Sequence, residues 1–331
     1  MTSKMDLNTP SLSKQPIAIH FDGRGKSAPL APEKYAKGKA SAFNWYYLNK
    51  DEADTEKTLK TLGLDSFVID ALMAEDTRPR FTGHDKGAIL ILRGVNLNEG
   101  AEPTDMVSLR FWIEKNLIVG IWVRRAFAVR DVMEAIDRGI VPISPSDMIC
   151  KIAFRLADRA EPIIAELSEK MDDLEDLGDA SAYSLAQKGL VDIRQSASIL
   201  RRFMVPQRDA LTTFSLEEFS WLKQVEQSKL REAAERITRL GEELDSVRER
   251  AMIAHDQILA ERSDKMNRTM LILTVMSAIF LPLGLLTGLL GVNVGGIPGA
   301  SNPMAFWMVS AGLVMIGVFV WWLIKRSNLM D

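Results

Sequence analysis

From Thr269 to Ile324 the chain carries no charged side chain, and two apolar runs, Thr269–Leu290 and Met304–Ile324, lie inside that stretch. Each run has about 20 residues, the length a helix needs to cross the hydrocarbon layer of a bilayer. Core helices of soluble proteins rarely run so long without a charge. The segment between them, residues 291–303, is polar and rich in Gly, Asn and Pro. The pattern predicts a C-terminal hairpin of two membrane spans behind a long water-soluble region.

Upstream, the periods change. Residues 1–15 are polar, with Pro10 and scattered lysines, and are expected to be disordered. Ile17–Phe21 reads as a short strand, and the aromatic-rich Phe43–Asn49 as another. Asp54–Leu62 and Ser66–Ala74 read as short helices, the second capped by Asp65 or Ser66. Gly87–Val95, Met106–Glu114 and Asn116–Val123 have strand composition, and the tight turn at Glu114-Lys115-Asn116 pairs the last two as a hairpin. Phe127–Arg138 reads as a helix closed by Gly139. Pro142 and Pro145 then interrupt the chain.

From Ser146 the pattern is helical to the end. One helix is expected over Ser146–Leu177, kinked at Pro162 and closed by Gly178. A second is expected to return from about Ala180 to Phe203 and stop before Pro206. The two form an antiparallel hairpin whose tip, Glu166–Asp179, is strongly acidic. Ser215-Leu216-Glu217-Glu218 fits a capping box for a third helix. If that helix continues to Leu290 it has some 75 residues and is about 110 Å long. No small domain buries such a helix, so its surplus length must be covered by copies of the chain. The expected organisation is therefore an α/β domain over 1–145, a helical hairpin over 146–213, and a long helix over 214–290 that ends in the first span. An external loop over 291–303, a second span over 304–324 and a tail over 325–331 follow.

Composition adds little to this. About 26% of the 331 residues are charged and 47% apolar, and the net charge of −3 gives no reason to expect nucleic acid as a partner. The lone cysteine, Cys150, excludes an internal disulfide and a thiolate-rich zinc site. The N-terminus lacks the apolar segment of a cleaved signal peptide. Lys265 and Arg268 precede the first span, Lys325 and Arg326 follow the second, and the loop has neither Lys nor Arg. The positive-inside rule then places both termini in the cytoplasm. No nucleophile–base arrangement or cofactor motif is visible, so an enzyme is not expected. Gly25-Lys26-Ser27 echoes a phosphate-binding loop, but His20 stands where that motif needs Gly, and a plain turn is expected.

Candidate chemistry lies along the long helix. Steps of seven back from Gly291 meet Gly284, Ser277, Met270, Ser263, Asp256, Glu249 and Glu242, which share one face of a supercoiling helix. Beside them run Gly288, Leu281, Thr274 and Asn267. Gly284-x-x-x-Gly288 is a motif for close helix packing in membranes. The same stripe could line a pore, fed from the cytoplasm past Glu242, Glu249, Asp256 and Ser263. In a ring of helices both readings hold together.

The end of the first span carries Phe280-Leu281-Pro282-Leu283, then Leu286-Thr287-Gly288-Leu289-Leu290-Gly291-Val292-Asn293. This resembles the CorA metal ion transporter family, whose pore helix ends in a Gly-Met-Asn triplet. Here the triplet is Gly291-Val292-Asn293, and its continuation Val294-Gly295-Gly296-Ile297-Pro298-Gly299 is similar to the ZntB-type zinc transporters of that family. The resemblance implies a homopentamer in the bacterial inner membrane, with a cytoplasmic α/β domain, a pore helix and an outer second span. It gives Gly291, Val292 and Asn293 the role of holding a hydrated cation at the outer mouth. The implied cargo is Zn2+, with Cd2+, Ni2+ and Co2+ as further candidates and H+ as a candidate coupling ion. No permanently bound cofactor is implied. The loop over 294–303 has no acid, which argues against magnesium as the cargo.

The residues alone support zinc weakly. The histidines His20, His84 and His255 have no ligand spacing, and only His255 lies near the stripe as a candidate metal contact. A transport site has no use for tight closure, because the ion must leave. An inside-negative potential of 100 mV favours entry of a divalent cation by about 4.6 kcal/mol, so uptake is expected over efflux. The acidic tip over 166–179 could concentrate cations or be an ordinary exposed turn. Two alternatives remain: a magnesium- or cobalt-type channel, and a membrane-tethered scaffold without transport.

Overall fold

The computed structural model describes residues 17–30, 36–38, 41–75, 77–175, 183–292, 297, 299 and 302–326, with backbone alone at 183–185 and 324–325. The expectation of disorder over 1–15, the ends at Gly178 and Ala180, and the tail over 327–331 lie outside these residues. Two compact units divide the chain, Met1–Ala254 and His255–Asp331.

In the first unit the strands are β1 (Ile17–Phe21), β2 (Ser27–Pro29), β3 (Phe43–Asn49), β4 (Arg80–His84), β5 (Gly87–Gly94), β6 (Val107–Glu114) and β7 (Leu117–Trp122). They form one sheet in the order β2-β1-β3-β7-β6-β5-β4. Only β3 and β7 pair in parallel; the other neighbours are antiparallel. The run Ile89-Leu90-Ile91-Leu92 on β5 is buried at every position. Such a run needs cover on both faces of the sheet. Helices α1 (Thr55–Thr61) and α2 (Ser66–Met73) supply it on one face, where Ile89, Ile91, Trp112 and Val119 join Leu59, Val68 and Leu72. On the other, α4 (Pro145–Glu175) and α5 (Tyr183–Leu216) meet β4, β5 and β6, while α3 (Phe127–Asp137) packs on α4.

Strands β2 and β4 were not expected. Both are edges, and neither has the apolar alternation that marks a half-buried strand: β2 is three exposed residues and β4 reads Arg-Phe-Thr-Gly-His. The β4–β5 hairpin turns on Asp85-Lys86, with Asp85 at φ 49. Asp tolerates the left-handed backbone that two-residue hairpins require.

Three helix boundaries differ from expectation. Helix α4 starts at Pro145, the position where a missing N–H costs nothing. It is capped reciprocally: Asp147 N donates to Ser144 Oγ at 3.0 Å and Ile143 N to Asp147 Oδ2 at 3.3 Å. Helix α5 runs through Pro206 to Leu216 instead of stopping. Burial of Leu200, Met204, Gln207, Leu211 and Phe214 holds the far half of α5 in place, and Gln207 Oε1 accepts from the β5 amide of Arg93 at 2.6 Å. That tertiary gain offsets the one helical hydrogen bond a proline removes. Ser215 therefore caps nothing: it ends α5, with Oγ donating to Thr212 O. The connection that follows is pinned by Trp221, stacked 4.8 Å from Phe219 and donating to Lys86 O. Helix α6 (Gln224–Leu290) thus begins eight residues later than the capping box suggested, and it continues through Pro282.

The second unit holds the end of α6 and all of α7 (Ala305–Arg326). Each of these helices contains a stretch that is long and apolar enough to cross a membrane.

Candidate functional site

All of the stripe expected from the sequence lies on α6. In the first unit the helix buries Ile237, Leu240, Leu244, Val247 and Ala251, while Glu242 and Glu249 are exposed. At 3.6 residues per turn the two acids stand about half a turn from the centre of that buried face. Ion pairs fix the helix there. Arg236 reaches Asp158 of α4 at 3.2 Å, Arg201 of α5 reaches Asp245, and Lys229 reaches the buried Asp147 at 2.8 Å.

The second unit repeats the arrangement with lipid-type residues. On α6 the partly covered positions include Leu271, Val275, Ile279 and Leu283, a four-residue period. The matching face of α7 includes Val309, Gly312, Leu313, Ile316, Gly317 and Val320. Asn267, Met270, Thr274, Ser277, Leu281, Gly284 and Gly288 are all exposed, and Ser277 and Leu281 lie about half a turn away from the α7 contact. Asp256 and Ser263 are exposed as well. A Cβ built on Gly284 or Gly288 meets nothing within 4 Å. The small residues of Gly284-x-x-x-Gly288 therefore do not serve the packing of α7 on α6. The period of Leu271, Val275, Ile279 and Leu283 could have located that packing face in the sequence.

The polar groups on the stripe are oriented by the helix itself. Thr274 Oγ1 donates to Met270 O at 2.8 Å, which uses its proton and leaves its lone pairs facing outward. Gly291 N donates to Thr287 O at 2.9 Å and closes the last turn of α6, and Val292 follows it exposed. Asn293, with most of the loop after it, lies outside the described residues.

Other candidates fall elsewhere. His255 Nδ1 stands 3.7 Å from Asp256 Oδ1, its neighbour in sequence. His20 Nδ1 is 2.7 Å from Asn44 Oδ1, and His84 Nε2 is 2.7 Å from Asp65 Oδ2. Among the described residues no three His, Cys, Asp or Glu side chains group to hold a metal ion. Burial, with Asp147 beside it, pushes the Cys150 thiol up to about 12, far from a ligating thiolate. In the acidic tip, Asp172 and Glu175 are bound by Arg250 of α6, so part of its charge is already neutralised. In the turn at Gly25-Lys26-Ser27, Asp22 Oδ1 accepts from the amides of Arg24 and Lys26, so those donors are turned inward on a carboxylate.

The sequence profile of the family described as "CorA-like Mg2+ transporter protein" matches residues 40–326. The divalent cation transporter CmaX of Pseudomonas aeruginosa is 35% identical over 285 residues, 85% of this chain and 86% of that protein. The zinc transport protein ZntB of Pectobacterium atrosepticum is 33% identical over 314 residues, 94% of each. Among solved structures, the full-length CmaX protein superposes with a TM-score of 0.79 at 31% identity, covering 94% of this chain and 96% of that one.

Proposed function

This chain belongs to the CorA family, and on that premise we propose that it carries divalent cations across the bacterial inner membrane, with zinc as the cargo and uptake as the direction. The observation that carries the reading is the two-sidedness of α6. Within each unit one side is taken by the chain's own helices, while Glu242 and Glu249 in the first and Ser277, Gly284 and Gly288 in the second are left uncovered in the protomer. In a homopentamer with both termini in the cytoplasm, five such sides meet around an axis.

The roles follow from the chemistry of each residue. Glu242, Glu249 and Asp256 concentrate cations at the cytoplasmic end, and Ser263 continues that line. Asn267, Thr274 and Ser277 offer oxygen lone pairs to the water around a hydrated ion. Met270 and Leu281 narrow the path, while Gly284 and Gly288 let the backbones approach. At the outer mouth, carbonyls of Gly291 and Val292 and the side-chain oxygen of Asn293 accept hydrogen bonds from metal-bound water. His255 is a candidate contact at the cytoplasmic end. An ion kept in its water shell needs no tight cluster, and a loose path lets it leave.

Zinc draws support from the ZntB relative, whose name states that cargo over 94% of both chains. Magnesium or cobalt is the second reading, and the description of the family profile favours magnesium. Isotopic zinc uptake into proteoliposomes, with and without a pH gradient and with magnesium as competitor, tests both. Saturable zinc entry that excess magnesium leaves intact is the expected result. Entry of magnesium in preference to zinc would reassign the cargo, and no flux of either would remove the transport reading.

A further inference from the structure

Leu259, Met266, Leu273 and Phe280 stand at steps of seven on the part of α6 that belongs to the second unit. All four are exposed in the protomer, at 44%, 59%, 59% and 62%. A seven-residue step drifts by only about 20° per repeat on a straight helix, so they make one continuous apolar line. The line is on a different side of the helix from Leu271, Val275, Ile279 and Leu283, the positions covered by α7.

No single environment suits this line. Between its first two members and just after them come Glu261, Arg262, Asp264, Lys265 and Arg268. Charges so dense keep Leu259 and Met266 out of hydrocarbon, so lipid does not cover them. From Thr269 onward the helix is uncharged, and Leu273 and Phe280 lie where a water-soluble partner does not reach. The occupant that fits the whole line is a helix with the same change of character at the same height. Among the described residues that helix is α6 itself. Helix α7 is uncharged up to Lys325, and the remaining helices contain no stretch apolar enough to cross a membrane.

The adjacent lines show how two copies fit. One position on, Ala260, Asn267, Thr274, Leu281 and Gly288 form a second exposed line, short in side chain except at Leu281. The stripe of Asp256, Ser263, Met270, Ser277 and Gly284 runs between the two, about 50° from each at 3.5 residues per turn. We propose that the line from Leu259 to Phe280 of one copy docks on the line from Ala260 to Leu281 of the next. With the stripe facing an axis, each copy offers its large line to one neighbour and its short line to the other, a contact of unlike surfaces that closes into a ring. The proposal rests on the pore reading, which turns the stripe inward, and adds the residues that seal the wall between adjacent copies. Leu259, Met266 and Leu273 fill the space left by Ala260, Asn267 and Thr274, and the seven-residue repeat keeps the lines together through a left-handed supercoil. Asn267 and Thr274 then border the lumen on one side and the neighbouring copy on the other.

Cysteine pairs test this in the full-length protein, because Cys150 is 1% exposed and leaves the background clear. Met266→Cys/Asn267→Cys, oxidised with copper phenanthroline in detergent, should give disulfide-linked ladders of two and more copies on a denaturing gel. Adjacent positions of one helix do not face each other, so the bond forms between copies. Each single variant should stay monomeric on that gel, since the contact joins unlike positions. Asn267→Cys/Arg268→Cys, with the same spacing turned to the back of the helix, should stay monomeric as well. A second measurement avoids thiols: Leu259→Ala/Met266→Ala should move dissociation of the solubilised particle to a protein concentration about tenfold or more higher for each side chain, at unchanged helix content. Ladders from Met266→Cys alone would mean a two-fold contact between like positions and overturn the proposal. So would no ladder from the Met266→Cys/Asn267→Cys pair, or an alanine variant that dissociates like the parent. Zinc flux is measured separately on the same preparations. Ladders without flux keep the seam and remove transport; flux without ladders overturns the seam and leaves transport standing.

Discussion

Gly317 of α7 lies against Leu283 of α6: a Cβ built on the glycine stands 4.0 Å from Leu283 Cδ1. The second span thus sets a small position on the apolar ridge of the first. Its contact is spent on Leu and Ile side chains, not on the Gly, Ser and Thr edge. That division of surfaces separates a packing change from a transport change, and the first two predictions use it.

Ser277→Leu should cut metal flux by about tenfold or more, because a larger apolar side chain both narrows and dries a water-lined route. The α7 contact is on the other side of the helix, so the size of the purified particle should not change. Flux equal to the parent's in proteoliposomes would mean that this face packs and does not conduct.

Asn293→Ala should abolish flux while the oligomer still assembles, since it removes the side-chain acceptor proposed for metal-bound water. Size-exclusion chromatography and zinc uptake on the same preparation decide the matter. Normal uptake would count against the outer-mouth role.

Asp65 caps α2, with Oδ1 accepting from Val68 N at 2.9 Å and Oδ2 meeting His84 Nε2. The Val68 amide first, and His84 second, hold its carboxyl below the usual range. A depressed folded-state value contributes stability above the unfolded pKa and loses it as pH falls through the folded one. Asp65→Ala should therefore cost about 1 kcal/mol at neutral pH. The difference between the two unfolding curves should shrink below about pH 4. A gap that stays constant into acid would contradict the capping account.

Cys150 donates to Glu226 O and is 1% exposed. With its thiol pushed up to about 12 in place of 9.0, alkylation of the folded protein should be slower than that of the unfolded chain by on the order of 10³ from thiolate content alone. Mass spectrometry of iodoacetamide-treated samples measures this, and rapid labelling of folded protein would refute the burial.

Arg250→Ala releases Asp172 and Glu175 on the acidic tip. Both partners are largely exposed, so the loss should be about 0.5 to 1 kcal/mol at low ionic strength. It should fade in high salt, as calorimetric melts at two salt concentrations would report.

The membrane hairpin and the central strands were legible because each rests on a long, local signal: an uncharged run, or an unbroken apolar segment such as Ile89–Leu92. What escaped depends on distant partners. Pro206 reads as a stop, yet α5 passes through it because Gln207, Leu211 and Phe214 find their places against the sheet. Ser215 and Glu218 have capping spacing, but the stacking of Phe219 and Trp221 takes that stretch into a connection. Arg93, Arg110, Arg124 and Arg202, which line one cavity of the first unit, are scattered along the chain. They share no motif, and only the pairing of β5 with β6 and the course of α5 bring them together. The proposed stripe has a heptad spacing visible in the sequence, and the ridge opposite it, Leu271, Val275, Ile279 and Leu283, has a four-residue period of its own.

Helix α6 passes through Pro282 without ending. A proline donates no amide hydrogen, so the oxygen of Ala278, one turn earlier, has no intrahelical donor. Hydrocarbon offers nothing in exchange, and an oxygen left bare in lipid is expensive. Mid-span, then, this rod presents an acceptor that only a water molecule or a donor from a neighbouring strand of protein can answer, and a segment built solely to be soaked in fat would have no use for it.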